Sequence, residues 1–147
     1  MRITSRRLTN GADMSIQQIM VVEDNENDRF FLQTAFEKED IQANIIFAVS
    51  AEDAIEKFDE ISRPLAIITD LNMPGAGGFG LLEHLRSDAA LKHVPTIVFS
   101  GSANPDDINS SYEHEANAYV MKPDSVEGYK GFVSSFSSFW VEQNRVA

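Results

Sequence analysis

The chain has 147 residues, a formal charge of −11, 43% apolar and 10% aromatic residues, and no cysteine. That is the length of one domain with enough apolar content to bury a core. The charge argues against nucleic acid and against anionic membrane surfaces, since both require basic faces. The missing cysteines exclude disulfides, thiolate metal sites and Cys nucleophiles.

Residues 1–14 hold three Arg and one Asp, without the apolar stretch of a secretory signal. Residues 1–15 are expected to form a flexible tail and residues 16–147 the domain. No run approaches the roughly 18 apolar residues needed to span a bilayer. With neither an export signal nor cysteine, a cytoplasmic location is expected.

Five apolar runs follow in order, at residues 19–22, 45–48, 65–69, 96–99 and 118–121. Each is continuous rather than alternating and rich in β-branched residues, the pattern of strands buried on both faces of a parallel sheet. Their starts lie 20 to 31 residues apart, room for a helix and two loops but too long for a hairpin.

The segments between them read as helices. In the first, Phe31, Leu32, Ala35 and Phe36 share a face, with Asn27 and Asp28 as start signals. Ser50 should cap the second, with Asp53 three residues on and Ala51, Ala54, Ile55 and Phe58 facing inward. Leu81, Leu82 and Leu85 mark the third. A short fourth helix runs from Pro105 to about Tyr112, with Pro suited to the first turn. The fifth spans about residues 125–144, with Tyr129, Phe132, Val133, Phe136, Phe139 and Trp140 in one stripe. Five βα units with right-handed crossovers predict a flavodoxin-like (βα)5 doubly wound α/β sheet of strand order 2-1-3-4-5.

Such sheets bind ligands at the carboxyl ends of their strands. The first run ends in Glu23 and Asp24, the third in Asp70, the fourth in Ser100 and the fifth in Lys122. Any one acidic residue could be a turn former, but five polar groups at one edge form a pattern. Three close carboxylates repel and call for a cation. An all-oxygen donor set selects a hard ion, Mg²⁺ first and Mn²⁺ as a substitute. Asp70 is then a candidate nucleophile forming an aspartyl-phosphate, with Lys122 and Ser100 binding the phosphoryl oxygens.

The stretches MVVEDNENDR, IITDLNMPGAGGFGLLEHLR, IVFSG and AYVMKP resemble the receiver domain of bacterial response regulators over residues 16–142. The resemblance implies that Asp70 is the phosphoacceptor, Asp24 a direct metal ligand and Glu23 a ligand through water. It adds the backbone carbonyl of Asn72 to the metal, Tyr119 as an aromatic switch beside Ser100, and a cis bond between Lys122 and Pro123. It further implies a sensor histidine kinase as phosphoryl donor and no enzymatic turnover beyond self-phosphorylation and self-dephosphorylation. LKHVP, SYEHEANAYVMKP and SSFW are similar to single-domain regulators that partner bacterial phytochromes. Those often form homodimers through the fourth helix, fifth strand and fifth helix, here Tyr119, Phe132, Phe136, Phe139 and Trp140. Only residues 143–147 follow the fifth helix, so output is expected through protein contacts.

Other signals are weaker. Residues 75–80 fit GxGxxG, but Ser100 stands near where a dinucleotide site needs an acid. These glycines better suit a tight turn beside Asp70, with Gly78 letting the third helix start close to the sheet. Asp70-Leu71-Asn72 lacks the second Asp of aspartyl-phosphate phosphatases. His84, His93 and His114 are isolated and read as solvated.

Overall fold

A computed structural model describes residues 16–147; the expected tail at 1–15 lies outside the described residues. The strands are β1 (Gln17–Val22), β2 (Ala43–Ala48), β3 (Ala66–Thr69), β4 (Thr96–Ser100) and β5 (Ala118–Met121). The helices are α1 (Glu26–Lys38), α2 (Ala51–Phe58), α3 (Gly77–Ser87), α4 (Pro105–Glu113) and α5 (Val126–Phe136), with a π-helical segment over Ser137–Gln143. All strands are parallel in the order β2-β1-β3-β4-β5, as expected.

The continuous apolar runs have a direct cause. Successive side chains of a strand face opposite sides, and both sides of this sheet are covered. Ile19, Val21, Ile45, Ile68 and Phe99 pack with Leu32 and Phe36 of α1 and Val133 and Phe136 of α5. Met20, Val22 and Ile67 pack with Ala51 and Ala54 of α2 and Leu81 and Leu85 of α3. Each fully buried Leu or Ile contributes about 1.5–3 kcal/mol relative to an exposed one. Among the described residues, no helix is long and apolar enough to cross a membrane.

Helix starts follow side-chain chemistry. Ser50 caps α2 as expected, its Oγ accepting the Asp53 N–H at 3.0 Å, while Asp53 Oδ2 accepts the Val49 N–H at 2.9 Å. α1 begins earlier than expected. Asn25, not Asn27 or Asp28, is its cap, accepting the Asp28 N–H at 3.0 Å. α3 has no cap from its own segment; the Ala76 N–H instead donates to the Glu52 carboxylate of α2 at 2.9 Å.

Gly78 is required. A Cβ there would lie 2.4 Å from the Asp70 carbonyl oxygen and 2.8 Å from Leu71 Cα, so α3 can start against β3 only without one. α5 stops short of its expected length. At Ser137 it widens into the π-helical segment; Ser134 and Ser135 just before that point and Ser137 and Ser138 within it are weak α-helix formers.

Candidate functional site

The sheet ladder continues one residue past its strands at this edge. The Glu23 N–H donates to the Ala48 carbonyl at 3.0 Å, that of Asp70 to Val22 at 3.0 Å, and that of Lys122 to Ser100 at 2.8 Å. Three side chains are thereby fixed in place by backbone bonds. Glu23 and Asp70 are buried and Asp24 faces solvent. Carboxylate oxygens of these three lie within 4.8 Å of one another, close enough to share one ion.

Lys122 lies among the acids. Its Nζ sits 2.8 Å from Glu23 Oε1, 2.9 Å from Asp70 Oδ2 and 2.7 Å from Asp28 Oδ2. Burial disfavours the ammonium, but hydrogen bonds to Asp28, Glu23 and Asp70 outweigh it and hold Lys122 above its ordinary range. Glu23 is pushed up to about 7, first by burial and then by the charge of Asp70, against the opposing bonds from Lys122 and Asn25. A buried acid that resists ionising beside another acid fits a site built for a further cation. Glu23, Asp24 and Asp70 supply only hard oxygen donors, and Asp24 leaves one side open to water, the mixed shell that Mg²⁺ favours.

The remaining expected residues sit around this core. Asp70 Oδ1 accepts the Leu71 N–H at 2.7 Å, leaving Oδ2 toward Lys122. Asn72 is exposed in the β3–α3 loop. Ser100 is fully buried, and its Oγ accepts the Ser102 N–H at 3.2 Å. Tyr119 is half-buried, and its hydroxyl donates to the Ser102 carbonyl at 2.7 Å, tying β5 to the β4–α4 loop. Ser102 in turn donates to Asp107 Oδ2 at 2.5 Å.

Pro123 requires a correction. Among the described residues no peptide bond is cis, so the Lys122–Pro123 bond is trans. An X–Pro bond favours trans by about 0.5–1 kcal/mol when nothing overrides it.

The aromatic stripe also divides. Phe136 is buried, and Phe132 and Trp140 pack on the core; Phe132 stacks on Phe99 with centroids 4.5 Å apart. Phe139 is 48% exposed, as are Tyr112 of α4 (49%) and Met121 of β5 (45%). His114 pairs with Glu83 at 3.3 Å and stacks on Phe79, so its ring is engaged away from the acidic cluster.

Sequence reasoning missed Asp28 and Tyr129. The sequence places Asp28 at the helix start; with Asn25 as cap it stands in the first turn of α1 and reaches Lys122. The Tyr129 hydroxyl donates to Asp28 Oδ1 at 3.3 Å. Burial, and then the Asp28 charge, push that phenol up to about 12. The available signal was the run of polar residues from Asp24 to Asp28, in which Asp24, Asn25, Asn27 and Asp28 are all good caps, so a start earlier than Asn27 was open.

Comparison with known proteins gives a consistent picture. The model of the response regulator receiver domain matches residues 19–129. Response regulator Rcp1 of Synechocystis sp. is 28% identical over 130 residues, covering 84% of this chain and 88% of that protein. The crystal structure of the phosphorylated cyanobacterial phytochrome response regulator RcpA superposes with a TM-score of 0.82 at 28% identity, covering 90% of this chain and 99% of that one. The Mn²⁺-bound form of Rcp1 gives a TM-score of 0.80 at 27% identity, covering 89% of this chain and 99% of that one. With the family model matched across most of the chain and the expected strand order in place, this chain belongs to the response regulator receiver domain family.

Proposed function

We propose that the chain is a phosphorylation-dependent switch that accepts a phosphoryl group on Asp70 from a sensor histidine kinase. The observation that carries this is the ladder-fixed group of Glu23, Asp70 and Lys122 with Asp24 open beside it. Asp70 Oδ2 attacks phosphorus; the bond from phosphorus to the donor's imidazole nitrogen breaks, and its electron pair stays on the imidazole. Lys122 donates an N–H to a phosphoryl oxygen, and the Ser100 hydroxyl donates to another. Asp24 and Asp70 directly, Glu23 through water and the Asn72 carbonyl would hold Mg²⁺, which neutralises charge on the transferring group.

Drawing Ser100 toward the phosphoryl group disturbs its bond to Ser102, the same residue that Tyr119 holds. Tyr119 can then turn inward, and the surface of α4, β5 and α5 changes. The chain turns over no substrate of its own beyond its phosphorylation and dephosphorylation. Similarity to a phytochrome response regulator supports a phytochrome-type kinase as donor, in the cytoplasm. The exposed Tyr112, Met121 and Phe139 on or just beyond these elements support a second copy as one binding partner. Sedimentation of the phosphorylated and unphosphorylated protein tests that: two monomers would remove the homodimer from the reading.

The central test is incubation with acetyl phosphate and Mg²⁺. Intact mass should rise by about 80 Da for one phosphoryl group, and Asp70→Asn should show no rise. A protein that takes no adduct is not a phosphoacceptor. Continuous turnover of the donor would instead indicate a phosphatase.

A further inference from the structure

An ammonium has three N–H donors, and Lys122 already meets three carboxylates. The Lys122 side chain is only 14% exposed, so water offers it little in exchange. For a phosphoryl oxygen to gain a donor, one carboxylate must lose one. Asp70 carries the acceptor oxygen itself, and Glu23 belongs to the group that can share an ion. Asp28 has neither duty. It comes from α1, is absent from that group, and makes the shortest of the three contacts at 2.7 Å. Its other oxygen accepts from Tyr129, a buried residue of α5 whose ring packs on Phe31 and Phe99.

We propose that Asp28 is a positioning residue of the phosphorylation site: its carboxylate holds Lys122 in the unphosphorylated state and so limits how readily Asp70 takes a phosphoryl group. The proposal rests on Asp70 being the acceptor. Asp28 acts in two ways. It competes with phosphoryl oxygens for Lys122, and it adds negative charge beside an anionic donor. Tyr129 moderates both, because its hydroxyl draws on the Asp28 carboxylate and weakens the hold on Lys122. The contact with Tyr129 also links the state of the site to the α1–α5 packing, separately from Tyr119.

The two contacts predict opposite signs. With acetyl phosphate and Mg²⁺, the initial rate of adduct formation in Asp28→Asn should rise roughly three- to tenfold, the scale of one lost charge-assisted hydrogen bond. Tyr129→Phe keeps the ring and removes the hydroxyl, so the rate should fall by about twofold, the scale of one neutral hydrogen bond. Asp28→Glu retains the charge and should return toward the wild-type rate. A merely structural role would lower the rate in both Asp28→Asn and Tyr129→Phe. An Asp28→Asn rate at or below wild type, or a faster Tyr129→Phe, overturns the proposal. If Asp28→Asn does not fold, Asp28→Ala takes its place, with the same rise expected and a rate at or below wild type overturning the proposal. Failure of the wild type to take any adduct overturns the phosphoacceptor reading instead, and the proposal with it.

Discussion

Replacing Glu23 with Gln removes a buried acid that burial and Asp70 hold at about 7, against an ordinary 4.5. The sign follows from linkage. A carboxyl group whose value is raised on folding binds a proton that the unfolded chain has released, so its contribution is complete below about pH 4.5. It is lost as pH rises through about 7, a loss of about 3 kcal/mol. Gln mimics the protonated acid and carries no such dependence. Lys122 stays charged throughout, because its three carboxylate partners hold it high. Any change in its pairing therefore adds a constant offset rather than a slope. Urea unfolding without divalent ions, followed by Trp140 fluorescence at pH 5, 6, 7 and 8.5, isolates the effect. Relative to Glu23→Gln, the wild type should lose about 2–3 kcal/mol between the first and last pH. A difference constant with pH, or one that shifts in the wild type's favour, would refute the burial argument.

Three further outcomes follow from the same geometry. Saturating Mg²⁺ should raise the wild-type unfolding midpoint more at pH 8 than at pH 5.5, because a folded-state ligand stabilises in proportion to its affinity and Glu23 offers a charge only when ionised; EDTA should reverse the shift. Lys122→Met leaves Glu23, Asp28 and Asp70 without their shared ammonium and should cost about 3 kcal/mol at pH 8, with a smaller loss at pH 5, where Glu23 holds its proton. Gly78→Ala places a Cβ 2.4 Å from the Asp70 carbonyl oxygen and should destabilise by about 2–3 kcal/mol in urea unfolding; a change below about 0.5 kcal/mol would contradict the close approach of α3 to β3.

The sheet was legible because helices cover both its sides, burying β3 and β4 completely and β5 in part, and each strand leaves an unbroken apolar run in the sequence. Ser50 and Pro105 marked helix starts for the same local reason: a hydroxyl that accepts an amide, and a ring that needs no donor. Glu23, Asp70, Ser100 and Lys122 could be placed together because each sits where a run ends, and parallel strands end at one edge. What sequence alone could not resolve depends on small offsets. Moving the α1 cap from Asn27 or Asp28 to Asn25 carries Asp28 from solvent to Lys122. The π-helical widening at Ser137 leaves Phe139 exposed while Trp140 packs inward. The trans Lys122–Pro123 bond turns on an energy gap too small for residue identity to decide.

Those offsets separate the rigid part of the site from its adjustable part. Glu23, Asp70 and Lys122 hang from backbone ladder bonds that the five-stranded sheet holds in register. On the proposed reading, a phosphoryl group on Asp70 brings between one and two negative charges, which the sheet would not accommodate by moving strands. The change must fall on contacts made by side chains and loops: Lys122 with Asp28, Ser100 with Ser102, and Tyr119 with Ser102. Each neutral contact of that kind contributes about 1 kcal/mol net and a charged one about twice that. Two or three such bonds are comparable with what one phosphoryl group gains from Lys122 and Ser100. A switch needs that near balance. If the ladder itself had to break, the cost would exceed the gain and phosphorylation would unfold the edge instead of re-setting it. If no bond had to break, the surface of α4, β5 and α5 would stay the same in both states. Asp28 matters in this balance because it is a charged contact in the adjustable set that is neither the proposed acceptor nor one of the carboxylates close enough to share an ion.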